Sequence, residues 1–165
     1  MYARFLSVKS LVLFATMLGA GLLCNPAKAQ KPAQNPHSFA GTWIVQTQIT
    51  NCSGTTLESF SKMLSINAGG TASEVSNSLP PSQRTVAFGV WQHVDHDNFV
   101  YALRFFRFTP TGTFASTVEA KWSVLLDQSG DVYTAEGAIK VLSPIGVVIT
   151  TLCGTETGTR MVIPD

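Results

Sequence analysis

Arg107 and Glu156 are the charged side chains whose placement invites chemistry. Arg107 ends the alternating row Tyr101, Leu103, Phe105, and Glu156 falls on the same side of its segment as the apolar positions that would face it. A charge turned toward an apolar interior is costly unless it is paired or usefully solvated. Arg107 would then hold a ligand carboxylate or enolate through charge-assisted hydrogen bonds. The bland alternative is that Arg107 snorkels to a rim and Glu156 leaves through a bulge near Gly158. The run His93-Val94-Asp95-His96-Asp97 gathers metal-ligating types. A hairpin tip collects such residues for turn reasons as well, and no third inward ligand accompanies them, so no metal and no other cofactor is expected. No nucleophile, base and acid stand together in a known motif. A binding role is therefore the leading class, with an enzyme of the cyclase or isomerase type, using Tyr101, Arg107 and Glu156, as a remoter one.

The elements that must position these residues read as strands. Residues 113–126 alternate throughout: Phe114, Ser116, Val118, Ala120, Trp122, Val124 and Leu126 on one face, Thr117, Glu119, Lys121 and Ser123 on the other. Such alternation marks a half-buried strand. Similar segments are predicted at 42–51, 60–67, 71–76, 85–94, 99–108, 131–141 and 146–162, separated by Gly-, Pro-, Asn- and Asp-rich turns. Short links make neighbours antiparallel. The turn at 95–98 sets Phe88 against Phe105 and Val90 against Leu103, with Trp91 outside near Arg104. The turn at 111–112 sets Tyr101 against Trp122, Leu103 against Ala120 and Arg104 against Glu119. The turn at 128–129 sets Val118 against Ile139, Val124 against Tyr133 and Lys121 against Glu136. Inward partners are then apolar and outward partners opposite in charge, which a one-residue slip would destroy.

The first and last strands decide between a β-sandwich and an all-β, eight-stranded antiparallel up-and-down β-barrel. Facing Cys52 with Cys153 in one ladder sets Trp43 against Val162, brings Arg160 diagonal to Trp43, places Glu156 opposite Ile49 and removes both sheet edges. The barrel is the expected fold. Gly41-Thr42-Trp43 at the start of the first strand, with Arg160 near the end of the last, resembles the signature of the lipocalins and wider calycin barrels. The resemblance implies that the arginine packs across Trp43 and closes one end. The other end would then be a mouth, with loops at 52–59, 76–84, 109–112 and 142–145. The expected ligand-binding residues are Thr47, Phe88, Tyr101, Leu103, Phe105, Arg107, Trp122, Tyr133 and Glu156, along an inward surface that also includes Val45, Ile49, Leu64, Val90 and Ile139. An eight-stranded barrel is wide enough either to fill itself or to hold one small ligand, and the sequence leaves both open.

The chain has 165 residues, a net charge of +1 and a 45% hydrophobic share. These exclude a disordered chain and argue against a nucleic-acid binder. Arg4 and Lys9, the apolar run at 11–23 and Ala27-Lys28-Ala29 read as a secretory signal peptide over residues 1–29, cleaved near Ala29-Gln30. Leu23 before Cys24 departs from a lipoprotein pattern. Residues 30–39 read as a flexible tether and 40–165 as a single barrel domain. Export to the periplasm or the outside makes a Cys52–Cys153 disulfide the simplest use of the two remaining cysteines. The expected partner is a small hydrophobic or amphipathic ligand. The alternative is a filled barrel acting as an interaction protein, meeting a protein partner or second copy through outward Trp91, Phe106 and Phe108. Neither nucleic acid nor a membrane span is expected.

Overall fold

Period-two alternation becomes a closed sheet because most strands have one largely apolar row that only a common interior can bury. The computed structural model describes residues 38–164; the expected leader and residues 30–37 of the expected tether lie outside the described residues. The strands are β1 (Gly41–Thr50), β2 (Thr56–Ile66), β3 (Thr71–Ser76), β4 (Ala87–Asp95), β5 (Asn98–Phe108), β6 (Phe114–Leu126), β7 (Val132–Leu142) and β8 (Val148–Arg160). Each pairs antiparallel with the next, and β8 pairs with β1, so the barrel is closed. Among the described residues no helix is long and apolar enough to cross a membrane.

The β5–β6 register is the expected one: Tyr101 faces Trp122, Leu103 faces Ala120, and Arg104 faces Glu119, with which it forms an outward ion pair. Three other registers differ. Between β6 and β7 the slip is two residues, so Lys121 faces Ala138, Glu136 faces Ser123, Ala120 faces Ile139 and Leu126 faces Tyr133. The cause is a longer turn, in which the Asp127 amide donates to the carbonyl of Val132 at 2.9 Å. Between β1 and β8 the slip is again two: Trp43 faces Arg160, Thr47 faces Glu156 and Thr50 faces Cys153. Cys52 lies beyond the ladder, in the left-handed region at φ 61°, and turns back to form the disulfide with Cys153 across a Cα separation of 4.8 Å. An even slip preserves the faces.

The β4–β5 slip is one residue and reverses β4. A bulge at His93–Asp95 sets Phe88 against Arg104 and Gly89 against Leu103. Phe88 and Val90 therefore point outward, 67% and 61% exposed, while Ala87, Gly89 and Trp91 take the inward row. The closeness of β5 requires glycine here, because a Cβ on Gly89 would lie 1.8 Å from the Ala102 carbonyl oxygen. Trp91 does not meet Arg104 as expected. Its ring turns toward Phe39 and its indole N–H donates to the carbonyl of Asn67 at 2.7 Å.

One barrel end is plugged. Phe39, which the sequence assigned to the tether, is wholly buried. Its ring centroid lies 5.5 Å from that of Trp43, 5.3 Å from Phe99, 6.1 Å from Tyr101 and 5.4 Å from Tyr133. The Arg160 guanidinium stacks 4.2 Å over Trp43. It donates to the carbonyls of Gly130 (2.7 Å), Ala40 (2.8 Å) and Ser38 (2.7 Å). These bonds tie the entering chain to the turn between β6 and β7. Replacing Phe39 by Ala should destabilise the barrel by about 3–5 kcal/mol through the cavity left among these rings. Urea denaturation measures this, and an unchanged midpoint would show that the plug does not hold that end.

Candidate functional site

Above the aromatic plug, five of the eight strands each place a polar residue in the inward row. Thr47 comes from β1, Lys62 from β2, Tyr101 from β5, Tyr133 from β7 and Glu156 from β8. The side chains of Lys62 and Glu156 are 2% and 0% exposed, and they form an ion pair. Glu156 Oε1 accepts from Lys62 Nζ and from Thr47 Oγ1 at 3.3 Å. Oε2 accepts from the hydroxyl of Tyr101 and from that of Tyr133 at 3.3 Å. Lys62 also donates to the Tyr101 oxygen at 3.2 Å, and its Nζ lies 5.0 Å from the Trp122 ring centroid and 5.5 Å from that of Tyr101. Such mutual satisfaction is what permits opposite charges in an apolar lumen. Glycines make room: a Cβ on Gly158 would sit 2.0 Å from the Tyr133 ring, and one on Gly137 2.3 Å from the Trp122 ring.

A second buried pair stands toward the mouth. Arg84 donates to Glu74 at 2.9 Å, to Ser76, to Ser78 at 3.1 Å and to the Thr85 carbonyl at 3.3 Å. Its guanidinium lies 4.1 Å over the Phe105 ring. With every nitrogen used, Arg84 ties the 77–86 segment to the barrel wall.

Between the two pairs the lumen opens to the outside through a cavity of about 120 Å³. Its walls include Ile49, Phe60, Phe105, Ala120, Ile139 and Leu152, with Lys62 and Trp122 at its depth and Arg107 and Glu58 toward the rim. The barrel is thus filled at one end and hollow at the other. Arg107 is half-buried and makes no ion pair or side-chain hydrogen bond among the described residues. Trp122 is 2% exposed, and its indole N–H has no hydrogen-bond partner among them.

Of the residues singled out in the sequence, Phe105, Arg107 and Trp122 line the cavity. Thr47, Tyr101, Tyr133 and Glu156 make the polar layer beneath it, with Glu156 opposite Thr47 rather than Ile49. Leu103 is buried in the wall. Phe88 is on the outer surface, for the register reason given above, and so is Val90. Outside the barrel, Phe106 and Phe108 pack on Phe114, with ring centroids 5.8 Å and 6.2 Å apart, whereas Trp91 has left that face. Lys62, Glu74 and Arg84 were missed. Lys62 was within reach, since it shares the parity of inward Leu64. Arg84 was not, because it stands in a loop that carries no period. At the hairpin tip, the His93 ring nitrogen Nε2 lies 2.8 Å from the His96 carbonyl oxygen.

Burial pushes the Tyr101 hydroxyl well above the ordinary tyrosine value, and the Glu156 charge raises it further. Tyr133 is raised for the same two reasons in the same order. Both phenols stay protonated as donors to the carboxylate. No family model and no curated protein matches the sequence. Among solved structures it is similar to that of an S-type phycobiliprotein lyase, CPES, from Guillardia theta, with a TM-score of 0.42 and 12% identity over 76% of this chain and 90% of that one. A likeness that distant leaves function to be argued from the site.

Two outcomes follow from the buried layer. Lys62→Met alone strands the Glu156 carboxylate and should cost about 3–5 kcal/mol, whereas Lys62→Met with Glu156→Leu should recover most of it. A double-mutant cycle in urea measures the coupling, and additive costs would refute the pairing. Above pH 10.0, the ordinary tyrosine value, the unfolded chain loses phenolic protons that the folded one keeps. Stability should therefore fall as pH rises beyond that point and be insensitive to these groups below it. Tyr101 and Tyr133 should show phenolate absorbance only when the barrel unfolds.

Proposed function

We propose that the chain is an exported binding module that takes a small amphipathic molecule into the open end of its barrel. The apolar body lies against Val118, Ala120, Ile139 and Leu152, and an anionic head meets Arg107. The observation that carries this reading is a half-buried cation, without an ion pair among the described residues, at the edge of a largely apolar cavity. Glu58 shares the rim but is exposed, where solvent and salt screen it. The Arg107 guanidinium offers a planar fork of donors suited to a carboxylate. The cavity is small: a dry cavity of roughly 150 Å³ accommodates benzene, so one ring or a short chain is the scale of the guest.

The disulfide supports an oxidising compartment, as the leader expectation requires. Arg160 stacked on Trp43 beside Gly41 supports the resemblance to lipocalin-like and calycin barrels. Titration calorimetry with hexanoate tests the proposal. Wild type should bind, and Arg107→Ala should bind about tenfold more weakly or worse, the scale of a lost hydrogen bond to a charged group. Negligible binding by both proteins would end the anchor reading.

A further inference from the structure

Donors and acceptors at the depth of the cavity do not balance. Glu156 accepts from Thr47, Lys62, Tyr101 and Tyr133, which uses the roughly four lone-pair sites a carboxylate has. Glu74, the other buried carboxylate of the wall, accepts from Arg84 through Oε1 at 2.9 Å and belongs to the pair nearer the mouth, not to this depth. On the donor side there is a surplus. Lys62 spends N–H groups on Glu156 and on Tyr101, and an ammonium has a third. Trp122 lines the cavity and is almost wholly buried, and its indole N–H has no hydrogen-bond partner among the described residues. The other indoles are served: Trp43 donates to the Phe39 carbonyl at 3.0 Å and Trp91 to that of Asn67 at 2.7 Å. An indole nitrogen can only donate, and leaving it unmet in a low-dielectric interior is costly.

We infer that this depth is a carbonyl-recognition site, and that the end of the guest that enters first is a compact apolar group carrying a carbonyl, such as a cyclic ketone, lactone or quinone. Its oxygen accepts from the Trp122 indole and from the free N–H of Lys62. The charge there is already neutral, Lys62 against Glu156, so a carboxylate at that depth would meet Glu156 with like charge. A hydroxyl or amine brings a proton for which the filled Glu156 has no site. A carbonyl oxygen is uncharged and only accepts. This assignment rests on the reading of the lumen as a ligand site and specifies which polar group enters first.

Cyclohexanone, cyclohexanol and methylenecyclohexane have nearly the same shape and differ in that group. Titrating each into uniformly ¹⁵N-labelled wild type and Trp122→Phe, followed by proton–nitrogen correlation spectra, tests the inference. Cyclohexanone should move the Trp122 indole resonance while those of Trp43 and Trp91 stay in place. It should bind wild type at least about fivefold more tightly than either analogue, and the preference should vanish in Trp122→Phe. If cyclohexanol or methylenecyclohexane binds wild type as tightly, the carbonyl assignment is wrong although the lumen still takes apolar guests. If none of the probes moves a lumen resonance, the carbonyl assignment falls, and the hexanoate titration decides separately whether the ligand-binding reading falls with it. The wild-type comparison stands even if the variant folds poorly.

Discussion

A carboxylate in the middle of a barrel is the constraint to which the rest of the structure answers. Glu156 is fully removed from solvent on β8, and an ionised carboxylate in such a place must be surrounded by donors or it unfolds its host. The donors come from β1, β2, β5 and β7, which fixes the register of strands that span the whole chain. A one-residue slip of β2 would carry Lys62 to the outer face and leave the charge stranded. Buried ion pairs stabilise little compared with apolar residues of the same shape. Their effect here is to divide the lumen, with close-packed rings below and an open space above.

The two ends are closed by different means. At the plugged end Arg160 joins Trp43 to the carbonyls of Ser38, Ala40 and Gly130, so the entering chain, the last strand and the β6–β7 turn meet on one guanidinium. At the open end Arg84 does a similar service for the long connection between β3 and β4, leaving the mouth beside it unfilled. Irregularities lie toward the ends of the ladders. Register shifts at Ile49/Thr50, Arg107/Phe108 and Val141/Leu142 all lie at the mouth. Bulges at a barrel rim re-aim side chains and end the pairing. The one at His93/Asp95 lies at the opposite end and turns the whole of β4 over.

Much of the site could be read from parity. Tyr101, Leu103, Phe105 and Arg107 keep one face in the sequence and in the barrel, as do Trp122, Tyr133 and Glu156, because slips of zero or two residues leave faces unchanged. Phe88 could not be read in this way. In β4 both parities are apolar, Phe88 and Val90 on one side and Ala87 and Trp91 on the other, so alternation alone does not choose between them, and a plain turn at 95–98 turns Phe88 inward. The bulge, and the approach of Ala102 to Gly89, reverse that choice. Phe39 was hidden for another reason: one apolar residue after a Pro-rich stretch has no period to announce it.

Local alternation and turn residues give the strand count and the antiparallel order, and setting the two cysteines in one ladder brings Arg160 near Trp43, two residues from the register observed. Only the closed barrel decided that Lys62 reaches Glu156, that Arg84 reaches Glu74, and that one half of the lumen is packed while the other stays open. These depend on how eight inward rows interdigitate across the axis. Strand-by-strand periodicity gives the face of each row, but not the height at which its side chains meet those of the others.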